Sequence, residues 1–270
     1  MSVVRSIEPE RRPTLYFLDE IRRFAPVFLD TEVDMTRVRE HQGAAREREE
    51  SYSSVSYVLY TAARVLERHP EANAAVRGHL RPQVARYPSV NGKFTLDKTV
   101  NGQRVVRSAV LPGLHRAGLD EIQRQVDYFL QGDPATMPEL APVRALQRLP
   151  RPWGPWAMRL STRPLRRRDA TTGTFAVTSL AHRPVDGFYS VGGTTVTLGL
   201  GRTQSRAVVR AGVVAVAPVM RLSLTFDHRV IDGAEAADVL AEVRAGLEAF
   251  ADDLAPDPEP AAVRSEEPVR

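Results

Sequence analysis

Two of the six histidines in this chain stand at the head of the same spacing, His-x-x-x-Asp-Gly. One copy runs from His182 to Asp186-Gly187, the other from His228 to Asp232-Gly233. Imidazole titrates near neutrality, so a histidine opening into a cleft can take a proton from a hydroxyl or thiol and pass it on. A carboxylate four residues later can hold arginines or backbone donors that steady the segment, and the glycine after it permits a tight turn. Spacing alone does not choose between the copies, and a lone histidine at a strand end is more often structural than catalytic. Context does choose. His228 follows the alternating run Leu222-Ser223-Leu224-Thr225-Phe226 and precedes Val239, Leu240, Val243, Leu247 and Phe250 at helical spacing. It therefore leaves a strand just before a helix. His182 lies in a stretch without periodicity and reads as a loop residue.

Other elements must hold that histidine in place. Residues 1–12 are polar and read as a flexible arm. Thr14 to about Phe24 has the helical period and Pro26 ends it; Val27, Leu29, Thr31 and Val33 then alternate as a strand. Residues 38–53 are charged and read as a solvated connection. Val55, Val58, Leu59, Ala62, Val65 and Leu66 predict a helix closed by His69-Pro70. Between residues 88 and 112, apolar positions surround Asn91-Gly92 and Asn101-Gly102, and Asn-Gly suits a type I′ hairpin. A further helix is expected from Leu119 to about Leu130. Residues 131–170, rich in Pro, Arg and Trp, read as a long irregular insertion that serves either as a functional loop or as a plain surface excursion. Strands are expected at 175–178, 194–198 and 222–226, with another apolar run at 208–219. After Asp252 the chain is acidic and proline-rich, so residues 253–270 are expected to be a disordered tail. No linker composition interrupts residues 13–252, so a single α/β domain is expected.

Composition removes several classes. With no cysteine, disulfides, thiolate metal sites and a cysteine nucleophile are excluded, and no metal is expected at the site. No run of about 18 apolar residues occurs, and the first residues lack a secretory core, so neither a membrane partner nor export is expected. A cytoplasmic location is the simplest reading. The net charge is +4, with arginine in place of almost all lysine. The arginines do not alternate with aromatics, so nucleic acid is not an expected partner.

The segment Asp227-His228-Arg229-Val230-Ile231-Asp232-Gly233 is similar to the Asp-His-Arg-x-x-Asp-Gly signature of the dihydrolipoamide acyltransferase (E2) catalytic domain of 2-oxo acid dehydrogenase complexes. Its wider spacing is shared with chloramphenicol acetyltransferase. Gly173-Thr174-Phe175-Ala176-Val177-Thr178-Ser179-Leu180 resembles the family's Gly-Thr-Phe-Thr-Ile-Ser-Asn-Leu stretch. Residues 29–36 resemble its first core strand, and His69-Pro70-Glu71-Ala72-Asn73 its His-Pro-x-x-Asn segment. The likeness runs in order from about residue 12 to 250. It implies a chloramphenicol acetyltransferase-like two-layer α/β sandwich, a mixed sheet flanked by helices. It also implies a homotrimer with active sites in channels between subunits.

In that scheme His228 is the general base and Thr178 supplies the hydroxyl for the oxyanion, with Ser179 as the alternative. Asp232 is the third catalytic-site residue, expected as a structural partner of Arg22 or Arg23. His182 and His115 are candidates for lining the substrate channel. The resemblance also has gaps: no lipoyl-lysine context surrounds Lys93 or Lys98, residues 131–170 exceed the family's connection, and an Asn-Pro-Pro-like turn is missing between Gly187 and Leu200. The expected function is that of a free-standing acyltransferase with no permanently bound cofactor. It would move an acetyl group from acetyl-CoA to a hydroxyl of a small-molecule acceptor, as the E2-fold acetyltransferases of polyketide (tetronate) antibiotic biosynthesis do. The alternatives are an E2 acting on dihydrolipoamide supplied in trans and a non-catalytic trimeric scaffold.

Overall fold

The protein is described by a computed structural model covering residues 6–78, 80–150 and 153–251. The expected tail at 253–270 and the first five residues of the expected arm lie outside the described residues.

Period-2 patterning builds the centre of the molecule. Strands β1 (Pro26–Asp34), β4 (Gly92–Val100), β5 (Gln103–Leu111), β6 (Phe175–Ser179), β7 (Val196–Leu200), β8 (Gln204–Arg210) and β9 (Val213–Asp227) form one mixed sheet. Its order is β1-β9-β7-β6-β4-β5, with β8 also paired to β9. β6 is parallel to both β4 and β7, and the remaining pairs are antiparallel. The small hairpin of β2 (Ala74–Arg77) and β3 (Gln83–Arg86) stands apart.

The sheet has two unlike faces. Phe94, Leu96, Phe175, Val177, Val196, Leu198, Leu224 and Phe226 join the hydrophobic core. That core also contains apolar residues of α3 (Ser54–Arg68), α4 (Leu119–Gln131) and α8 (Gly233–Glu248). The intervening residues Lys93, Ala176, Thr178, Thr197, Gly199, Ser223 and Thr225 put small or polar groups on the opposite face, as alternation requires.

Helix α1 (Arg12–Ile21) agrees with the period read from the sequence. The connection expected at 38–53 differs: residues Thr36–Glu47 form α2, whose buried seam is only Val38, Gln42 and Ala45. The start of α2 is held by Asp34, which precedes the N-cap Met35 and whose Oδ1 accepts from the amide (3.0 Å) and hydroxyl (2.5 Å) of the first helical residue, Thr36. Of the two Asn-Gly pairs, only Asn101-Gly102 makes a hairpin, with φ of 50° and 74°. Gly92 instead opens β4 at a close approach, where a Cβ would stand 2.4 Å from Leu114.

The irregular insertion expected at 131–170 is mostly helical. It holds a 3-10 turn (Pro138–Leu140) and the short helices α5 (Ala141–Arg148), α6 (Trp153–Thr162) and α7 (Leu165–Thr172). Proline sits in or just before the opening turn of each of these helices, where its missing N–H costs nothing, so residues that suggested coil act as start signals. These helices pack on α1 and the β2–β3 hairpin. Tyr16 donates to the Leu149 carbonyl (3.1 Å) and Tyr87 to the Leu165 carbonyl (2.8 Å). Gly154 lies so close to the Tyr16 ring that a Cβ would meet it at 2.1 Å.

Candidate active site

His228 stands one residue beyond β9, where the chain turns towards α8. The turn is held from two sides. The His228 amide donates to the Ala25 carbonyl (2.9 Å), tying it to the loop between α1 and β1. Asp227, only 2% exposed, accepts from the Ala25 amide (3.3 Å) and from Arg229 Nε (2.8 Å). Its second oxygen accepts from another guanidinium nitrogen of Arg229 at 2.5 Å, and that guanidinium lies 5.0 Å from the Phe24 ring centroid. A buried carboxylate paired in this two-pronged way fixes the backbone on either side of the histidine. The His228 side chain itself is 45% exposed, with its ring 5.4 Å from that of Phe226.

Asp232 is the N-cap residue of α8, and its side chain is 89% exposed. Its Oδ1 lies 3.5 Å from His228 Nδ1, near enough to bias the ring's orientation electrostatically but long for a hydrogen bond. The arginine partnership expected for Asp232 does not form. Among the described residues neither Arg22 nor Arg23 pairs with it. The buried carboxylate that does bind an arginine is Asp227, because it points back into the fold while Asp232 opens a helix on the surface.

Thr178 lies on β6, half-buried on the polar face, and its hydroxyl makes no side-chain hydrogen bond among the described residues. Ser179 faces the other way and its Oγ accepts from the Ala181 amide (3.2 Å), committing it to the turn after the strand. Thr178 is level with Gly199 of β7 and Ser223 of β9. His228 is five residues further along β9 and two strands across. At about 3.3 Å per residue and 4.8 Å per strand, the two side chains of one chain are on the order of 20 Å apart. One chain therefore does not bring the expected base and the expected oxyanion donor together.

The second copy of the spacing behaves as a loop. His182 Nε2 lies 3.9 Å from Asp97, and Asp186 faces Arg202 and Arg206. It sits four residues after Thr178, at the end of the sheet remote from His228. His115 is 9% exposed, and its Nδ1 accepts from the Val90 amide (3.3 Å), which gives it a structural task.

The sequence reading missed Lys93 as a feature of this face. Its Nζ donates to the Gly192 carbonyl and lies 5.3 Å from the Phe17 ring. Burial, reinforced by the nearby Arg168, pushes its pKa down to about 7. Arg168, itself half-buried, donates to the Gly193 carbonyl (3.1 Å). Together the two cations pin the glycine turn that lies over the polar face beside α1. A lysine at an inward position between two apolar neighbours was the available signal. Among the described residues no group of three or more His, Asp and Glu could hold a metal, and no helix is long and apolar enough to cross a membrane.

The chain thus combines a mixed sheet with one polar face, a histidine leaving its longest strand and a clamped Asp-His-Arg turn. The family described as 2-oxoacid dehydrogenases acyltransferase (catalytic domain) matches residues 153–254, which include both Thr178 and His228. Probable dihydrolipoamide acetyltransferase from Listeria monocytogenes shares the fold at a TM-score of 0.69 and 15% identity, over 94% of this chain and 97% of that one. Dihydrolipoamide acetyltransferase from Azotobacter vinelandii gives 0.69 at 16% identity, over 92% of each. Among curated relatives, the acetyltransferase component of the Bacillus subtilis pyruvate dehydrogenase complex is 51% identical over 47 residues. The succinyltransferase component of the 2-oxoglutarate dehydrogenase complex from Bartonella vinsonii is 36% identical over 86 residues. These matches span 17% and 30% of this chain and only 11% and 20% of the two relatives. The resemblance to the E2 catalytic domain and the α/β fold read from the sequence are thus both borne out.

Proposed function

We propose that the protein transfers an acyl group, acetyl in the first instance, from a coenzyme A thioester to a hydroxyl of a small-molecule acceptor in the cytoplasm. The observation that carries this reading is the clamped His228, whose backbone is fixed by Ala25 and Asp227 while its ring remains open to solvent. His228 Nε2 removes the acceptor hydroxyl proton as the oxygen attacks the thioester carbonyl. The tetrahedral oxyanion accepts a hydrogen bond from Thr178. Collapse breaks the carbon–sulfur bond, and the departing thiolate takes the proton from the imidazolium. Since His228 and Thr178 of one chain are on the order of 20 Å apart by strand geometry, the complete site is built from two neighbouring chains of a homotrimer.

A hydroxyl acceptor is supported by the segment 131–170, which exceeds the family's connection and folds into helices, two of which, α5 and α6, pack on α1. A second reading, transfer to dihydrolipoamide, is favoured by the names of the curated relatives, which are dihydrolipoyllysine-residue acetyl- and succinyltransferases. Mass spectrometry of products formed from acetyl-CoA, with hydroxylated metabolites and dihydrolipoamide offered as competing acceptors, separates the two. Ester formation lost in His228→Ala supports the proposal. Ester formation that survives His228→Ala undiminished sinks the assignment of the base, and exclusive S-acetylation of dihydrolipoamide replaces the first reading with the second.

A further inference from the structure

A cavity of about 520 Å³ opens where the N-terminal turn, the tip of the β4–β5 hairpin and α5 meet. This volume falls in the range of small-molecule pockets. Its walls carry four arginines, Arg12, Arg107, Arg144 and Arg148, against a single carboxylate, Glu10. Among the described residues none of the four forms an ion pair. Arg107 is 4% exposed, and among the described residues its guanidinium donates only to the backbone carbonyls of Glu10 (3.3 Å) and Val106 (3.3 Å). One nitrogen of Arg144 donates to the carbonyls of Pro134 (2.9 Å) and Met137 (2.6 Å), and one of Arg12 to that of Gln147 (3.3 Å). The carbonyls orient these side chains without neutralising them.

Glu10 can offset only one of these four charges. Its Oε1 is engaged by the Asn101 side chain (2.9 Å), and that hydrogen bond, with Arg107 and Arg12 nearby, holds its carboxyl below the usual range. A buried, uncompensated guanidinium is costly, and a cluster of them is stabilised by an anion able to accept from several planar forks at once. Beside the amides Asn101 and Gln147, the wall has an aliphatic part formed by Val100, Leu140 and Val143. The geometry points to a binding site for a small organic phosphate, with its phosphoryl oxygens among the arginines and its carbon portion against the aliphatic wall. The cavity is remote from His228: β4 runs from Gly92, at the His228 end of the sheet, to Val100 beside the pocket, a span of about 26 Å at strand rise. The inference does not depend on the acyl-transfer reading.

Isothermal titration of the full chain with phenyl phosphate and with inorganic phosphate tests the site directly. One equivalent of phenyl phosphate per chain is expected to bind, several-fold more tightly than inorganic phosphate. Arg148→Gln removes an exposed side chain that makes no hydrogen bond among the described residues, and should weaken binding without changing the thermal midpoint of the free protein. Arg144→Gln combined with it should weaken binding at least tenfold. Saturating acetyl-CoA should leave phenyl phosphate binding intact. Four outcomes overturn the proposal: no binding up to about 10 mM, a range that calorimetry still reads; equal affinity for the two probes; unchanged affinity in both variants; or displacement by acetyl-CoA, which would assign the arginines to the donor.

Discussion

Chains carrying His228→Ala and chains carrying Thr178→Val, each nearly inactive alone, should regain about a quarter of the wild-type rate when unfolded together and refolded as mixed rings. Thr178 is level with Ser223 of β9, and His228 lies five residues beyond it, so the two groups of one chain cannot reach a common acyl carbon. If both act, each site takes its histidine from one chain and its threonine from the next. In a ring assembled at random from equal amounts of the two variants, each interface has one chance in four of pairing an intact histidine with an intact threonine, so about a quarter of the sites are restored whatever the ring size. The background is low enough to see this, since loss of a general base costs roughly 10²- to 10⁴-fold and loss of an oxyanion donor roughly 10²- to 10³-fold. Thiol release from acetyl-CoA, followed with a thiol reagent in the presence of the acceptor, reads the result. A mixed sample no faster than its parents, in assemblies shown by native mass spectrometry to contain both variants, refutes the two-chain site.

Three other perturbations test the supports of the site. Lys93, with a folded pKa near 7, binds its proton less readily than in the unfolded chain. Stability should therefore be lowest below pH 7 and rise between about pH 7 and 10, by roughly 1.4 kcal/mol per unit at most; Lys93→Met should flatten that rise in urea titrations, and an unchanged slope would show that the amine is not buried. Asp227→Asn should cost about 3 kcal/mol by leaving Arg229 without its carboxylate, and should lower kcat more than it raises KM, since the His228 turn loses its clamp; a pure KM effect would count against a positioning role. Gly154→Ala should destabilise by about 1–3 kcal/mol because its Cβ collides with the Tyr16 ring, and Tyr16→Leu in the same chain should recover most of the loss in thermal melts.

The sheet and its apolar helices were legible because burial on one face leaves a regular trace: Leu222, Leu224 and Phe226 alternate, and Val58, Leu59, Ala62 and Leu66 follow the turn of a helix. The same logic found the strand-to-helix junction at His228. It failed where stability comes from few contacts or from caps. Helix α2 buries three side chains among charged neighbours and owes its start to Asp34, which no hydrophobic period reports. Helices α5 to α7 are short, and a segment rich in proline carries too little periodicity to show them. The turn at Ala211-Gly212, with φ of 49° and 81°, splits the apolar run at 208–219 into β8 and β9, and alanine in that conformation gives no warning. The arginine-bound carboxylate is Asp227 and not the expected Asp232, since the two differ in which way the backbone turns them and not in residue type. The separation of Thr178 from His228 was beyond any local pattern, because it is set by the register of three strands.

The pairing of β1 with β9 also sets a schedule for synthesis. Residues 26–34 leave the ribosome early, yet their partner at 219–227 is made about 190 residues later, roughly 10–40 s at common elongation rates. Throughout that interval β1 has no strand beside it, and the Ala25 amide and carbonyl lack the Asp227 and His228 groups that later satisfy them. Contacts so distant in sequence form slowly even in the finished chain. The last strand to arrive is thus the one that closes the sheet and seats the histidine, so a chain truncated before residue 227 has neither a finished sheet nor His228. Slow decoding downstream of residue 200 would lengthen the exposure of an unpaired edge, and aggregation of nascent chains should track that delay.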